Sequence, residues 1–216
     1  MHNTINNLIG IQNLLKKKEY QDKLPKIIAV SKTFPIADIL PLIHHGHIHF
    51  GENKIQESVD KWTDIKKIFS KVKLHMIGNL QTNKVKFAVK LFDYIHSVDS
   101  KKLAKKIADE QQKINKSIKI FIQVNIGDEN QKFGINKNEL NSLISYCEEI
   151  NLDVVGLMCI PPANIDSTPY FSEMNLLNNS FFFPELSMGM SSDYLKALEY
   201  SATYLRIGSS IFGERS

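Results

Sequence analysis

Ile27-Ile28-Ala29-Val30-Ser31-Lys32 is the stretch that decides the fold, because it is an apolar, β-branched run that ends in a lysine. That pattern is typical of a buried parallel strand followed by a loop. A lysine at such a boundary can lose its proton by desolvation, and a neutral amine is a nucleophile toward aldehydes. Most lysines are solvated surface residues. The rest of the chain therefore has to decide between a functional and a surface interpretation of Lys32.

Short β-branched runs alternate with longer amphipathic stretches, which is the pattern of a parallel sheet with helical connections. The predicted strands are 27–31, 48–50, 74–77, 94–96, 118–124, 154–158, 185–186 and 204–207. The predicted helices are 8–18, 35–44, 55–69, 82–91, 101–115, 137–150, 167–182 and 194–201. Eight strands match a (β/α)8 barrel, and a doubly wound open sheet is the alternative because periodicity does not report closure.

Composition favours one domain. The 216 residues are 43% hydrophobic and 23% charged, which is enough for one sizeable core, and no Pro/Gly/Ser linker or internal repeat divides them. We expect a single α/β domain over residues 1–216, in which residues 1–26 supply a helix that precedes the first strand. Cys147 and Cys159 have neither disulfide-framework nor metal spacing, so we expect reduced thiols.

Charge and hydropathy argue against two classes of partner. The net charge is +4, but of 27 lysine and arginine residues only Arg206 and Arg215 are arginines. Specific readers of nucleic acid usually need arginine for bidentate and stacked contacts. No apolar run approaches the ~20 residues that span a bilayer, and the N-terminus does not read as a signal peptide. We therefore expect no specific nucleic acid, no membrane and a cytoplasmic location.

Three further features have plain structural interpretations. His44, His45, His47 and His49 match no usual zinc spacing, and a helix end followed by a strand explains them without a metal. The run 181–183, three phenylalanines, is expected to fill a core before Pro184, with an exposed partner surface as the less favoured alternative. Glu52 could act as a general base, but a carboxylate beside a helix start is the favoured interpretation.

Two strand ends predict an anion site. Ser187-Met188-Gly189-Met190-Ser191-Ser192-Asp193 leads into a helix that Ser191 or Ser192 could cap, and Arg206-Ile207-Gly208-Ser209-Ser210 follows the last strand. Gly208 permits a close backbone approach, and successive N–H groups can form a nest. The loops after strands 7 and 8 are the usual phosphate site of such barrels. A lysine plus a phosphate site suits an aldolase or a pyridoxal-phosphate protein.

The chain resembles the pyridoxal phosphate homeostasis protein family from about Ile27 to Gly213, with the motifs in the same order. The segments that carry the resemblance are Ala29-Val30-Ser31-Lys32-Thr33, His49-Phe50-Gly51-Glu52-Asn53, Ile77-Gly78-Asn79-Leu80-Gln81-Thr82-Asn83-Lys84, Gln123-Val124-Asn125, Lys132-Phe133-Gly134, Gly156-Leu157-Met158, 186–193 and 206–213. Tyr200 and Asn79 depart from the residues common in the family, beside the motifs. The resemblance implies a barrel of the alanine racemase N-terminal type without that enzyme's second, β-rich domain.

The resemblance also implies the site residues. Lys32 would bind pyridoxal 5'-phosphate (PLP) as a Schiff base, and Arg206 would face the pyridine nitrogen. Ser187, Gly208 and Ser209 would hold the phosphate, with Ser191 nearby. Asn53, His75 and Met188 would lie close to the ring. No residue is assigned to catalysis and none to a metal.

The expected function is PLP binding and intracellular PLP homeostasis, without robust turnover and thus not as an enzyme. PLP-requiring apo-enzymes are the expected partners, and we expect a monomer. Two alternatives stay open: an amino-acid racemase-like or lyase enzyme that uses PLP, and an aldolase-like Schiff-base enzyme without a cofactor.

Overall fold

Eight parallel strands form a closed barrel in the computed structural model, which describes residues 2–17, 24–129 and 133–214. The strands are β1 (Lys26–Val30), β2 (His49–Glu52), β3 (Lys73–Met76), β4 (Tyr94–Val98), β5 (Lys119–Gln123), β6 (Asp153–Met158), β7 (Glu185–Met190) and β8 (Tyr204–Ile207). Each strand pairs with its neighbour in the sequence, and β1 also pairs with β8 in the register Ile28 to Arg206. The barrel is therefore confirmed, and the open sheet is excluded.

Helices connect the strands and surround the barrel. They are α1 (Asn3–Lys17), α2 (Ile36–His44), α3 (Ile55–Ile68), α4 (Val85–Leu91), α5 (Lys101–Lys113), α6 (Lys137–Glu149), α7 (Thr168–Ser180), α8 (Tyr194–Glu199) and α9 (Ser209–Phe212), with a 3-10 turn over Thr82–Lys84. The predicted bounds agree within a few residues at most ends. The largest difference is at α1, which begins at Asn3, five residues before the predicted start at residue 8, and β7 runs four residues further than predicted because its pairing with β8 extends from Ser187 to Met190. Lys18, at the end of the first predicted helix, lies outside the described residues.

Alternating strand residues divide the apolar side chains into two cores. Residues that point outward, such as Leu74, Ile95 and Ile207, pack with Trp62 and Phe92 between the barrel and its helices. Residues that point inward form a second cluster, composed of Ile28, Tyr94, Phe121, Val155, Met158 and Tyr204. Successive side chains of a strand face opposite sides of the sheet except where the register shifts, so that Val155 and Leu157 of β6, which have the same parity, join different cores.

The first helix packs against the last helix, α9. Leu8, Ile11 and Leu15 of α1 are buried, and the side-chain amide of Asn7 donates a hydrogen bond of 2.9 Å to the carbonyl oxygen of Ile211 in α9. Because α9 follows β8, this contact supports the loop that ends the last strand.

Several secondary expectations can be compared with the structure. Phe181 and Phe183 stack on each other and pack against the core, but Phe182 is 92% exposed with a φ of 55°, so the core prediction is wrong for that residue. Cys147 and Cys159 are free and buried. α2 ends at His44 and β2 begins at His49, as the interpretation of the four histidines requires. Within the described ranges, no helix combines the length and apolar character that a membrane crossing needs.

Candidate functional site

A cavity of about 630 Å³ opens at the carboxyl ends of the strands, where barrel enzymes place their active sites. Its size is within the usual range for small-molecule sites. Six of the predicted site residues line it: Lys32, Asn53, Ser191, Arg206, Gly208 and Ser209. These residues come from loops that are far apart in sequence, so closure of the barrel is what brings them together.

Lys32 follows the end of β1 on a loop with a constrained backbone. Thr33 has a φ of 70°, which is unfavourable for a β-branched residue. Its N–H donates to Oε1 of Glu57 at 2.8 Å, and Glu57 also accepts from Lys61 Nζ at 3.0 Å. This carboxylate therefore holds the loop beside Lys32 from the first turn of α3.

A buried carboxylate holds the same loop from the other side. Oε1 of Glu52 accepts hydrogen bonds from Ser31 Oγ at 2.7 Å, from Trp62 Nε1 at 2.9 Å and from Lys61 Nζ at 3.1 Å. Lys61 also donates to the carbonyl oxygen of Ser31 at 3.0 Å. The expectation that Glu52 acts beside a helix start is wrong, because it is the last residue of β2 and binds side chains. Glu52 is also not among the residues that line the cavity.

The loops after β7 and β8 meet in a cluster of polar groups. Ser191 Oγ accepts from the N–H of Gly208 at 3.2 Å and from the N–H of Ser210 at 3.4 Å. These N–H groups converge on one oxygen, which is the geometry of an anion nest. The expectation that Ser191 or Ser192 caps α8 is wrong, because the N-cap is Asp193 and no side chain supplies a capping hydrogen bond there.

Gly208 is not required by packing within the protein. Its φ of −113° is accessible to any residue, and an added Cβ would meet Val30 at 3.5 Å, which is ordinary contact. Gly78 differs, because an added Cβ would lie 2.5 Å from the carbonyl oxygen of Asn53. The fold therefore demands glycine at 78, whereas at 208 the absence of a side chain matters for what enters the cavity.

Arg206 lies at the floor of the cavity with only 4% of its surface exposed. Its Nη1 donates to Ser187 Oγ at 2.8 Å, and its Nη2 donates to the carbonyl oxygen of Cys159 at 2.7 Å. Burial lowers the pKa of Arg206, partly offset by Cys159 and Asp193. An arginine pKa is so far above neutrality that the group stays a cation and can only donate.

Three predicted site residues do not line the cavity. His75 and Ser187 point into the barrel below it, where His75 Nδ1 lies 2.9 Å from His96 Nε2, and His96 Nδ1 lies 3.0 Å from Ser187 Oγ. Met188 points the opposite way and packs in the core between the barrel and the helices. The structure therefore does not place these three residues in the cavity lining with the other six, and their contacts with a bound ligand stay predictions. Neighbouring residues on a strand can face opposite sides of the sheet and lie at different depths in the barrel.

The sequence interpretation also missed several lining residues. Phe34, Phe133, Ile160 and Met190 form apolar walls, and Gln123 at the end of β5 lies beside them. Gln123 has the same strand parity as the inward-facing Phe121, a signal that could have identified it. Lys132, in the motif before Phe133, lies outside the described residues. Oδ1 of Asn53 is buried without a hydrogen-bond partner, so the cavity contains an acceptor that suits a polar ligand.

The barrel and the position of Lys32 agree with the class of barrels represented by the alanine racemase N-terminal domain. The family model for the alanine racemase N-terminal domain matches residues 11–216 of the chain. That match agrees with the closed (β/α)8 architecture and with a cavity at the carboxyl ends of the strands.

Comparison with known proteins identifies a particular family within this class. The chain is 37% identical over 215 residues to the pyridoxal phosphate homeostasis protein of Aquifex aeolicus, covering 95% of this chain and 93% of the relative. It is 35% identical to the protein of the same name from Pasteurella multocida, covering 97% and 96%. The chain therefore belongs to the pyridoxal phosphate homeostasis protein family.

A solved structure agrees with this assignment. PipY of Synechococcus elongatus, determined with PLP bound, superposes with a TM-score of 0.87 at 29% sequence identity, covering 97% of this chain and 100% of PipY.

Proposed function

We propose that this protein binds PLP through a Schiff base to Lys32 and takes part in PLP homeostasis without robust catalytic turnover. The observation that carries the proposal is the meeting of three groups in one cavity. A primary amine, a set of converging backbone N–H groups and a buried guanidinium line the same space. They complement the aldehyde, the phosphate and the pyridine nitrogen of PLP. The family of the chain and the PLP bound to PipY support the choice of this ligand.

Each lining residue has a defined part in the proposal. The amine of Lys32 condenses with the aldehyde, so that a C=N bond forms and water leaves. Gly208, Ser209 and Ser191 bind the phosphate through N–H and hydroxyl groups. Asn53 offers its unpaired side-chain oxygen to a donor of the ligand. Ser187 and His75 act from below the cavity and not by direct contact.

Arg206 makes the proposed site poor at stabilising carbanions. A guanidinium donates its hydrogen bond to the pyridine nitrogen and disfavours protonation of that nitrogen. An unprotonated ring is a weak electron sink, and PLP supplies catalysis mainly by acting as one. We therefore assign Arg206 to binding and orientation.

The lining of the cavity supports the absence of turnover. Among the lining residues in the described part of the chain, only Lys32 and Arg206 have titratable side chains. Racemisation requires an acid or base on each face of the substrate carbon. Lys32 could serve one face, and Arg206 stays protonated, so the second base is missing from the described lining.

The test is an absorbance spectrum of the purified protein with PLP, before and after borohydride, followed by peptide mapping. We expect a visible-edge band that borohydride removes, and a label on the peptide that contains Lys32. The Lys32→Ala variant should give no trapped adduct while it retains weaker, phosphate-anchored binding. Lys67→Ala, at a lysine that is 71% exposed, is the matched control. A full yield of adduct in Lys32→Ala would refute the assignment, and so would a chain that binds no PLP.

An enzymatic alternative follows from the match to the alanine racemase N-terminal domain. In this alternative, the chain is a PLP-dependent racemase-like enzyme. Incubation of the PLP-loaded protein with amino acids in deuterated water separates the two functions. We expect no steady exchange at Cα, whereas exchange that is lost in Lys32→Ala would establish the alternative.

The homeostatic role includes delivery of PLP to apo-enzymes from a monomeric, cytoplasmic carrier. The exposed position of Phe133, whose surface is 58% accessible at the rim of the cavity, supports access from solution. Reactivation of a PLP-requiring apo-enzyme by the loaded protein, at a rate above that of spontaneous release, is the expected result. Reactivation no faster than release would argue against direct delivery.

A further inference from the structure

A chain of hydrogen-bonded side chains extends from Arg206 toward the other end of the barrel. Arg206 Nη1 donates to Ser187 Oγ at 2.8 Å, and Ser187 Oγ lies 3.0 Å from His96 Nδ1. His96 Nε2 lies 2.9 Å from His75 Nδ1, and His75 Nε2 lies 2.9 Å from His49 Nδ1. These three histidines, with Ser187, are called the histidine relay below. The cavity does not explain it, because none of its members lines the cavity.

We propose that the histidine relay is a row of neutral imidazoles, each with its proton on Nε2, that acts as a dipolar counter-charge for Arg206 and fixes its guanidinium at the cavity floor. Its members are positioning residues and do not touch the ligand. The link to PLP rests on the proposed function, whereas the relay itself does not.

The direction of each hydrogen bond in the relay follows from the group at one end, Arg206. Arg206 can only donate, so Ser187 Oγ accepts from it, and the hydroxyl proton of Ser187 is directed to His96 Nδ1. A ring that accepts at Nδ1 and is neutral carries its proton on Nε2, so His96 donates to His75, and His75 donates to His49. The opposite direction would leave the Ser187 hydroxyl proton without an acceptor among the described contacts. It would also aim the positive end of each ring at the guanidinium.

Burial keeps the relay neutral. His75 and His96 have no measurable exposure, and burial holds the pKa of both well below the ordinary value, with His96 lowered further by Arg206. The pKa of His49 is lowered to about 4, first by burial and then by Lys26 and Lys73, against Asp93 and Glu185. Ring packing holds the orientations, because His75 stacks on Tyr94 and His96 stacks on Phe121, each with ring centroids 4.2 Å apart.

The relay compensates for the positive charge of a buried arginine. Arg206 is buried, and no carboxylate forms an ion pair with it among the residues described. An isolated buried charge is costly unless oriented polar groups compensate for it. In the relay, Ser187 Oγ and each Nδ1 lone pair point toward Arg206, so three aligned ring dipoles stabilise the cation. They do so without a carboxylate in contact with the guanidinium among the described residues, and the negative charge of Asp193 also favours the cation.

The first experiment uses the protein without PLP. Nitrogen-15 NMR of histidine-labelled protein distinguishes the two neutral tautomers from the imidazolium. We expect His96, His75 and His49 to be neutral with the proton on Nε2 at neutral pH. An Nδ1 proton on His96 or His75, or an imidazolium at either, would overturn the proposal. Because no cofactor is present, this outcome is independent of whether the chain binds PLP.

The second experiment breaks the relay at one point. His96→Phe preserves the stack on Phe121 but removes the acceptor for Ser187. The Nη signals of Arg206 should change from slow to fast exchange, and PLP affinity should fall about tenfold, as expected for loss of charge-assisted positioning. Tyr94→Phe is the matched control, since it removes a hydroxyl from the same layer and leaves the relay intact.

A second substitution changes the core less, so that the test does not depend on the folding of His96→Phe. Ser187→Ala removes the link between Arg206 and His96 while all three rings stay in place, and it should release the Arg206 signals in the same way. Arg206 signals unchanged in both variants would refute the positioning role. If PLP fails to bind the wild-type protein but the Arg206 signals respond, the proposed function fails and the relay stands.

Discussion

The two ends of the barrel interior are built from the same eight strands but differ in how their polar groups are satisfied. At the carboxyl mouth, apolar walls surround several polar groups, and Asn53 has a buried oxygen with no partner. Below it, His75 and His96 have both ring nitrogens engaged and stack on Tyr94 and Phe121. The mouth therefore suits a ligand, whereas the histidines of the lower layer bind one another and Ser187, and the Tyr204 hydroxyl is the polar group of that layer left without a partner among the described residues. Arg206 belongs to both, since it binds Ser187 below and lines the cavity above.

Removal of a ring from the lower layer is the substitution with the largest expected effect on stability. His75→Ala should lower the free energy of unfolding by about 3 to 5 kcal/mol, because it opens a cavity beside Tyr94 and leaves His49 and His96 with unpaired nitrogens. Urea denaturation measures the loss. His44→Ala, on the outer end of α2, should cost much less, and equal losses would show that the lower layer has no special role in stability.

Acid should weaken the lower layer before it affects the mouth. Burial lowers the pKa of His49, at the end of the relay, to about 4 from an unfolded value near 6.5, and it lowers the pKa of His47, which packs against Phe50 outside the barrel interior, to about 4 as well. The unfolded chain therefore binds more protons below about pH 6.5, and stability that is complete above that pH is lost as the pH falls toward 4. Each histidine contributes a slope of roughly 1.4 kcal/mol per pH unit in that window.

His49→Gln tests this slope, because glutamine keeps a polar side chain but does not titrate. The free energy of unfolding, measured across the same pH window, should then fall less steeply by about one proton's contribution. An unchanged slope in the variant would mean that His49 does not remain neutral in the folded protein.

At the mouth, the comparison predicts lost binding with little loss of stability. Gly208→Ala adds a Cβ that meets Val30 only at ordinary contact distance, so the fold should tolerate it. The same methyl group crowds the proposed phosphate position, and PLP affinity should fall about tenfold, or roughly 1.4 kcal/mol. Equilibrium titration and thermal melting together measure both effects. A large drop in melting temperature would contradict the division between the two ends.

The smallest expected effect concerns the loop that carries Lys32. Glu57→Gln weakens the hydrogen bond to the strained Thr33 backbone and should slow attachment of PLP a few-fold, at about 1 kcal/mol or less. Asp64→Asn is the control, because Asp64 pairs with Lys67 in an exposed ion pair on the same helix, and such pairs contribute little. Stopped-flow absorbance measures the rate of attachment. Equal rates in wild type and Glu57→Gln would show that the hydrogen bond to this loop does not influence the reaction of Lys32.

Sequence patterns predicted the barrel because each strand and helix has a local periodicity that tertiary contacts did not overturn. They also predicted the cavity residues that follow strand ends, such as Lys32, Asn53 and Gly208, since the carboxyl ends of barrel strands converge. They did not show that His75, Ser187 and Met188 lie outside the cavity lining, because the depth and the side of these residues depend on strand register. The histidine relay depends on registers across several strands, namely β2, β3, β4 and β7, so no local pattern could have revealed it.

The pairing of β1 with β8 has a consequence for synthesis of the chain. Lys32 follows the first strand, whereas Arg206 and Gly208 belong to the last strand and its loop, and the contact from Asn7 to Ile211 joins the same two ends. A nascent chain on the ribosome cannot bring the amine and the guanidinium together until β8 has emerged. Lys32 must therefore wait until the last strand has been synthesised before it has the surroundings described above.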